Sequence, residues 1–233
     1  MKITLIHGQN HAGSSCTIGR MLADLLAEKQ DQTEFFLPRD LNHFCTGCCA
    51  CLSGDENCPF YGEKKKILDA MEGADLLIFT TPTYCMRVSG PMKSFLDLTM
   101  TNWIPHRPRA SMFRKRAVVI STAAGAGVGT ALKDVKTALR FWGVPEIHGY
   151  GKAVQAMSWD QVAETKKQKI RRDMEKLARK LSRDRAPSAG LFTRCLFLFA
   201  GRMMHKQGMG ATDYETEYWK NQGWLERERP WKN

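Results

Sequence analysis

The feature that most constrains the fold is a regular alternation of buried strands and amphipathic helices along residues 2–154. The run at residues 76–80 is continuously apolar up to its last residue, which is typical of a strand buried on both faces. Apolar positions in the intervening segments recur at helical spacing. The alternation therefore predicts a parallel, doubly wound sheet with right-handed crossovers. The predicted strands cover residues 2–6, 33–37, 76–80, 117–121 and 146–154, and the predicted helices cover residues 17–29, 63–72, 91–100 and 130–142.

Sheets of this type bind ligands outside the carboxyl ends of their strands, where the strand order reverses. Three loops follow predicted strands, at residues 7–20, 81–97 and 121–129. The first combines glycines and hydroxyl residues at a helix N-terminus, where N–H groups, hydroxyls and the helix dipole hold a phosphate. It matches neither the P-loop nor the G-x-G-x-x-G pattern, and structural capping is the alternative for these residues. The predicted phosphate-binding residues are Gln9, Asn10, Gly13, Ser14, Ser15, Cys16 and Thr17.

The second loop, TPTYCMRVSGPMKSFLD, carries the most specific pattern. It resembles the corresponding segment of the NADPH-dependent FMN reductase and iron-sulfur flavoprotein families, which have the flavodoxin-like fold. The resemblance covers residues 1–154 and implies a five-stranded parallel sheet of order 2-1-3-4-5. The positions that keep the family order of residues are Pro82, Thr83, Tyr84, Ser89, Gly90, Lys93, Phe95 and Asp97.

The resemblance also implies FMN, with its phosphate on the first loop and its ring between the second and third loops. The first loop departs from the family's usual Gly-Ser-Pro-Arg, and the departure concerns side-chain contacts to the phosphate rather than the role of the loop. The flavin carries the hydride chemistry, so we assign no catalytic residue. For Tyr84 and Cys85 the alternative is a pair of side chains that cover the end of the sheet. The predicted ring-binding residues are Pro82, Thr83, Tyr84, Cys85, Thr122, Ala123, Gly125 and Gly127.

A cysteine-rich segment, CTGCCACLSGDENC, holds five of the eight cysteines within residues 45–58. Its spacing C-x2-C-x2-C-x6-C suits ferredoxin-type [4Fe–4S] ligation, whereas structural zinc more often uses two separated C-x2-C pairs. Iron-sulfur flavoproteins carry a compact motif of this kind after the second strand, but relatives that resemble plain flavin reductases keep similar cysteines without a cluster. A [4Fe–4S] cluster, zinc and free redox thiols therefore stay open. The predicted ligands are Cys45, Cys48, Cys51 and Cys58, with Cys49 as a spare thiol and Cys16 and Cys195 as structural residues.

The net charge of +11 concentrates at residues 107–116 and 166–185. In the second segment Ile170, Met174, Leu177 and Leu181 recur at helical spacing, so the basic residues lie on the outer faces of a helix. We predict that a capping box of Ser158 and Gln161 opens this helix. The bases are interpreted as a solvated face, with attraction of NADPH or an acidic redox partner as the alternative. Because no nucleic-acid motif accompanies them, we expect no nucleic acid as a partner.

We predict an FMN-binding domain over residues 1–185, with a cysteine-rich insertion at residues 45–58. A helical extension over residues 186–233 is expected to pack on the domain or on a partner subunit. Its apolar run at residues 191–204 is too short to span a bilayer. With no signal-peptide core at the N-terminus, the chain is predicted to be cytoplasmic. We expect a homodimer or homotetramer.

The predicted function is an FMN-dependent NAD(P)H oxidoreductase or electron-transfer flavoprotein acting on small-molecule donors and acceptors. A [4Fe–4S] cluster would relay single electrons to a ferredoxin-like protein. Without a cluster, the protein would be an NAD(P)H:FMN or quinone reductase. A non-catalytic flavin-binding module is the third alternative.

Overall fold

The computed structural model describes residues 1–183, 187–206 and 211–232. Five parallel strands form one sheet in the order β2-β1-β3-β5-β6, and the two-residue strand β4 pairs antiparallel with β3. Apart from this added sixth strand, the order is the predicted 2-1-3-4-5 arrangement of the flavodoxin-like fold. The strands are β1 (Ile3–His7), β2 (Gln32–Phe36), β3 (Leu76–Tyr84), β4 (Arg87–Val88), β5 (Arg116–Ala123) and β6 (Glu146–Ala153).

Helices cover both faces of the sheet, which explains why β1 and β5 are almost wholly buried. On one face, Phe79 of the sheet packs with Phe95 and Trp142 from two helices. On the other face, Ile78 belongs to a second apolar core with Ile18. The helices are α1 (Ser14–Asp24), α2 (Leu37–Asp40), α3 (Tyr61–Gly73), α4 (Gly90–Leu98), α5 (Val128–Phe141), α6 (Glu164–Leu181), α7 (Leu191–His205) and α8 (Asp213–Asn221).

The strand order reverses between β1 and β3, because β2 lies beyond β1 on one side and β5 and β6 lie beyond β3 on the other. His7 ends β1 beside Thr80 of β3 and Phe36 of β2. This reversal opens a crevice at the carboxyl ends of the strands, which is where doubly wound sheets bind ligands.

The structure corrects two predicted details. The capping box of Ser158 and Gln161 is wrong: α6 begins at Glu164 after Ala163, and the Gln161 side chain accepts a hydrogen bond from the Met157 N–H at 3.3 Å. The basic helix itself is confirmed. Cys195 was predicted to be structural, but it is exposed on α7.

The C-terminal helices pack on the rest of the chain through a third apolar core. In this core Phe197 of α7 and Trp219 of α8 meet Phe113, which precedes β5. The Trp219 indole N–H donates to the His106 carbonyl. The predicted boundary between residues 185 and 186 lies outside the described residues. Within the described parts of the chain, no helix combines the length and apolarity needed to cross a membrane.

Candidate functional site

The first loop presents the N-terminus of α1 at the crevice. The helix begins at Ser14 after the extended Gly13, and the first N–H groups of a helix have no partner within it. The Ser15 hydroxyl is buried and has no hydrogen-bond partner among the described residues. Unpaired donors at the positive end of a helix dipole suit an anion such as a phosphate.

The remaining residues of this loop differ in how they could contact a ligand. Gln9 is buried and donates to the His11 carbonyl at 3.0 Å, whereas Asn10 is exposed. A side chain on Gly13 would put its Cβ only 2.8 Å from the Gln9 amide nitrogen, so the loop is tightly closed there. The Thr17 hydroxyl donates a hydrogen bond to the Gly13 carbonyl at 3.2 Å.

Hydrogen bonds join the first loop to the second at the point of strand reversal. The Gly8 N–H donates to the Thr80 carbonyl at 2.8 Å, and the Ser89 hydroxyl donates to the Gly8 carbonyl at 2.6 Å. Thr81 donates in turn to the Ser89 hydroxyl at 3.2 Å. Hydrogen bonds from β3 and from the residue before α4 therefore fix the position of the first loop.

Below the first loop, a polar network joins the ends of β1, β2 and β3. The His7 ring, which is fully buried, contacts Thr80 Oγ1 and Glu34 Oε1, each at 2.7 Å. Arg20 donates to both oxygens of Glu34 at 2.6 Å. Burial raises the pKa of Glu34, but the hydrogen bonds from His7 and Arg20 outweigh it and hold the pKa at about 2. His7 thus makes local hydrogen bonds that join β1 to β2 and β3.

Cys16 belongs to this network through its side chain. Its sulfur lies 3.8 Å from the His7 ring, and burial raises the pKa of the thiol to about 11. Ligand atoms of His7, Cys16 and Glu34 lie within 4.8 Å of one another. Arg20 already occupies both oxygens of Glu34, and burial keeps the Cys16 thiol protonated, so this group offers no free anionic ligand to a metal ion. Because its side chain is fully buried, Cys16 can contribute to the crevice only through its backbone.

The second and third loops face each other across the ends of β3 and β5. The Thr83 hydroxyl lies 2.9 Å from that of Ser121, and Gly127 has φ of +89°. A Cβ on Gly127 would lie 2.8 Å from the Thr83 methyl carbon and 2.9 Å from the Met86 backbone. Glycine is required there because the two loops touch backbone to backbone.

A tight hairpin between β3 and β4 lies within the second loop. Cys85 and Met86 have φ of +47° and +66°, an uncommon conformation for residues with a side chain. Arg87 holds the hairpin against α5 through two hydrogen bonds to Asp134, at 3.0 and 2.6 Å. Tyr84 is 51% exposed at the mouth of the crevice. Of the other predicted ring-binding residues, Pro82, Thr122 and Ala123 are buried, Thr83 and Gly127 are half-buried, and Cys85 and Gly125 are exposed.

The four predicted cysteine ligands line one small cavity of about 50 Å³. Cys45 and Cys48 are exposed, whereas Cys51 and Cys58 are half-buried, and all four are free thiols. The cavity therefore brings all four predicted ligands to one place on the chain.

Arg107 holds the cysteine segment in place from below. Its buried guanidinium donates to the carbonyls of Cys51 and Leu52 and, at 2.9 Å, to Asp55. The ring of Tyr214, from α8, lies 5.0 Å from the guanidinium. In the sequence Arg107 was noted only as part of the charge at residues 107–116, and its buried role was not predicted. No local sequence pattern predicts that Arg107 is buried, because its hydrogen-bond partners are distant in sequence.

Helix α4 connects the two candidate sites. It begins after Ser89, which contacts the first loop, and its last residue Leu98 lines the cysteine cavity. Nine residues at 1.5 Å each give the helix a length of roughly 13 Å. Two cavities of about 400 Å³, both lined by Arg116, Arg183 and Pro187, lie at the amino ends of the strands, and we assign no site to them.

A doubly wound sheet with a phosphate-type helix N-terminus at its strand reversal, flanked by two close-packed loops, defines a flavodoxin-like protein of the flavin-dependent reductase class. The family model for NADPH-dependent FMN reductase matches residues 1–156. The chain belongs to this family.

Individual proteins that match the chain share a low sequence identity with it. The chain is 30% identical over 98 residues to an iron-sulfur flavoprotein of Archaeoglobus fulgidus, a match that covers 42% of this chain and 48% of the relative. The chain thus spans about half the length of the curated relatives it matches.

Solved structures share the fold. An FMN-dependent NADH-azoreductase from Bacillus anthracis str. Ames Ancestor, in complex with FMN, superposes with a TM-score of 0.55 at 14% identity over 78% of this chain and 100% of its own. An NADH:FMN oxidoreductase in its apo form superposes with a TM-score of 0.52 at 18% identity, over 83% and 93%.

Proposed function

We propose that this protein is an FMN-dependent NAD(P)H oxidoreductase whose cofactor phosphate binds at the N-terminus of α1. The observation that carries the proposal is the buried hydroxyl of Ser15, which has no hydrogen-bond partner among residues 1–183, 187–206 and 211–232 and lies in the first turn of that helix, at the strand reversal. Leaving such a hydroxyl unpaired costs free energy that a bound phosphate oxygen would recover. Membership of the FMN reductase family supports the same cofactor.

In this proposal the chain binds and orients the cofactor. Gln9, Asn10 and the segment from Gly13 to Thr17 hold the phosphate. Pro82, Thr83, Tyr84 and Cys85 of the second loop, and Thr122, Ala123, Gly125 and Gly127 of the third, would contact the ring. The exposed Tyr84 ring would flank the nicotinamide at the mouth of the crevice. Bound FMN supplies the hydride chemistry, so the residues need only position the donor and exclude water.

A second candidate is an electron-transfer flavoprotein in which the cysteines hold a [4Fe–4S] cluster. The observations that favour it are the shared cavity of Cys45, Cys48, Cys51 and Cys58 and the α4 helix that joins it to the flavin crevice. A cluster bound there would supply one-electron transfer to a ferredoxin-like partner. Without it, the acceptor would be a quinone, free flavin or another small molecule. A homodimer or homotetramer belongs to the same proposal.

The test begins with protein purified without oxygen. A flavin absorption spectrum, oxidation of NADH or NADPH with a generic acceptor, and assays of iron, acid-labile sulfide and zinc are measured on one sample. Flavin with nucleotide oxidation supports the oxidoreductase, and about four irons per chain supports the relay. Flavin without nucleotide oxidation would favour a binding module, and no flavin after FMN is added would refute the proposal.

A matched pair of variants tests the cysteines. Cys58→Ser removes a predicted ligand, whereas Cys49→Ser removes a thiol from the same cavity that lies outside the ligand spacing. We expect the first to lose iron and the second to keep it, with FMN content unchanged in both. Equal iron in both variants would contradict the assigned ligand set.

A further inference from the structure

Helix α7 has an apolar face that the rest of the described chain leaves uncovered. Of the large apolar side chains exposed in residues 1–183, 187–206 and 211–232, four lie on this one helix, and they are between 43% and 79% exposed. At 3.6 residues per turn their positions fall on one side of the helix, with the exposed Cys195 between them. We call this face the outer stripe; its residues are Leu191, Phe192, Cys195, Leu198 and Phe199.

The opposite face of the same helix already has its partners. It carries the buried Phe197, whose ring centroid lies 5.6 Å from that of Phe113 and 4.7 Å from that of Trp219. A helix at the surface of a globular protein normally turns one apolar face to the core and a polar face to water. The outer stripe is therefore apolar surface that the third apolar core does not use, and contiguous exposed apolar surface marks an interaction site.

The outer stripe continues into a groove at the first turn of α7. The groove, of about 470 Å³, is lined by Phe192 together with Pro145 and Ile147, and by the exposed Arg140 of α5. The Phe192 ring also meets the ring of Phe141 edge-on at 6.1 Å. Because guanidinium groups pair well with phosphate, this surface suits a ligand that joins an apolar chain to a phosphate group.

The charge along α7 is basic. No acidic residue occurs between residues 185 and 212, and Arg194, Arg202 and Lys206 are exposed. Arg194 already donates to the Ala189 carbonyl at 2.8 Å, whereas Arg202, four residues after Leu198, extends the side of the helix that carries the outer stripe. The outer stripe therefore lies beside positive charge, which favours an anionic partner.

Two other partners fit this surface less well. A second copy of the chain would bring the same bases and the same net charge of +11 to the contact, so like charges would oppose its docking. An acidic protein would supply the opposite charge, but protein interfaces also carry direct hydrogen bonds, and the outer stripe holds no strong hydrogen-bonding side chain. A lipid surface accepts protruding apolar side chains without such bonds.

We propose that the outer stripe of α7 binds the surface of an anionic phospholipid bilayer. The helix, about 22 Å long, would lie along the surface with the outer stripe among the acyl chains and with Arg202 and Lys206 at the phosphates. Since its opposite face stays packed on the protein, the helix lies on the bilayer and does not enter it. The inference goes beyond the proposed function and does not rest on it.

The test measures how the purified full chain partitions onto vesicles that are sedimented at a series of lipid concentrations. The vesicles contain phosphatidylcholine alone, or phosphatidylcholine and phosphatidylglycerol in equal parts. We expect the anionic vesicles to bind the protein about tenfold or more tightly than the neutral ones, and we expect this binding to weaken as the salt concentration rises.

Two pairs of variants separate the apolar contribution from the charge. Leu198→Gln/Phe199→Gln should bind the anionic vesicles at least about tenfold more weakly, and Phe199→Gln alone is the second test variant if the double variant does not fold. Its control, Leu25→Gln, should bind unchanged, because Leu25 is 47% exposed and follows α1 on the sheet face away from α5. Arg202→Gln should bind about fivefold more weakly, whereas Lys66→Gln, on the exposed side of α3, should not.

No binding to either kind of vesicle would overturn the proposal. Equal binding by the double variant and the unaltered protein would also overturn it, because net charge alone would then explain the interaction. Sedimentation equilibrium without lipid tests the second copy: a dimer that the double variant dissociates, with no vesicle binding, would assign the outer stripe to self-association. FMN affinity should be the same in all of these variants, so the flavin proposal is tested separately.

Discussion

Removing one hydroxyl at the first loop should move stability and cofactor affinity in opposite directions. In the cofactor-free protein the Ser15 hydroxyl is buried and has no hydrogen-bond partner in the parts of the chain that the structure describes, and in the proposed complex it donates to a phosphate oxygen. Most substitutions in a binding loop weaken ligand binding and either lower the stability of the protein or leave it unchanged. Ser15→Ala should weaken FMN binding and stabilise the cofactor-free chain.

Both magnitudes follow from hydrogen-bond energies. A hydrogen bond to a charged group contributes about 1.5–3 kcal/mol, so the FMN dissociation constant should rise about 10- to 150-fold. An unsatisfied buried hydroxyl costs about 1–3 kcal/mol, so its removal should raise the unfolding free energy of the cofactor-free chain by about 1–3 kcal/mol.

The assays are quenching of FMN fluorescence on titration with cofactor-free protein, and urea unfolding without FMN. Ser89→Ala is the control, because its buried hydroxyl already donates to the Gly8 carbonyl. That variant should lose about 1 kcal/mol of stability without FMN. Unchanged FMN affinity together with lower stability in Ser15→Ala would refute the phosphate assignment.

Three other predictions follow from the structure. Gly127→Ala should lower stability by about 1–2 kcal/mol in urea unfolding, because φ is +89° and the Cβ would meet Thr83, whereas Gly129→Ala, which faces open space, should not lower it. The pKa of the Glu34 carboxyl is held at about 2, so its carboxylate stabilises the folded state by roughly 3 kcal/mol above pH 4.5. This contribution should be lost as the pH falls from 4.5 to 2. Urea unfolding at pH 6 and pH 3 should show the loss in the unaltered protein and not in Glu34→Gln. Trp219→Phe removes a buried hydrogen bond, and it should lower the unfolding midpoint by the same amount whether unfolding is followed by circular dichroism or by fluorescence. Different midpoints in the two measurements would contradict a C-terminal segment that unfolds together with the sheet.

Much of the sheet could be predicted because its signals are local. The apolar run at residues 76–80 and the pattern after it fixed β3 and its loop, and β1 and β5 show the same buried character. The strand order came from the resemblance to the FMN reductase family, because doubly wound sheets of different strand order share right-handed crossovers. The position of Ser15 at a helix start could likewise be expected from glycine and hydroxyl residues after a strand.

What the sequence did not reveal depends on contacts between distant residues or on uncommon backbone. The β3–β4 hairpin carries Cys85 and Met86 where such turns usually carry Asn and Gly, so no turn signal was present. Arg107 looks like an ordinary surface base in the sequence. It is buried because α8 and the cysteine segment, which are far apart in the chain, meet around its guanidinium.

The most direct test of the central claim compares FMN with riboflavin, which has the same ring and lacks the phosphate. Cofactor-free protein is titrated with each ligand under identical conditions, and the two dissociation constants are measured by fluorescence quenching. If the N-terminus of α1 and Ser15 hold the phosphate, FMN should bind at least about 100-fold more tightly, since several hydrogen bonds to a charged group are lost in riboflavin. Equal affinities, or no binding of either ligand, would contradict the account.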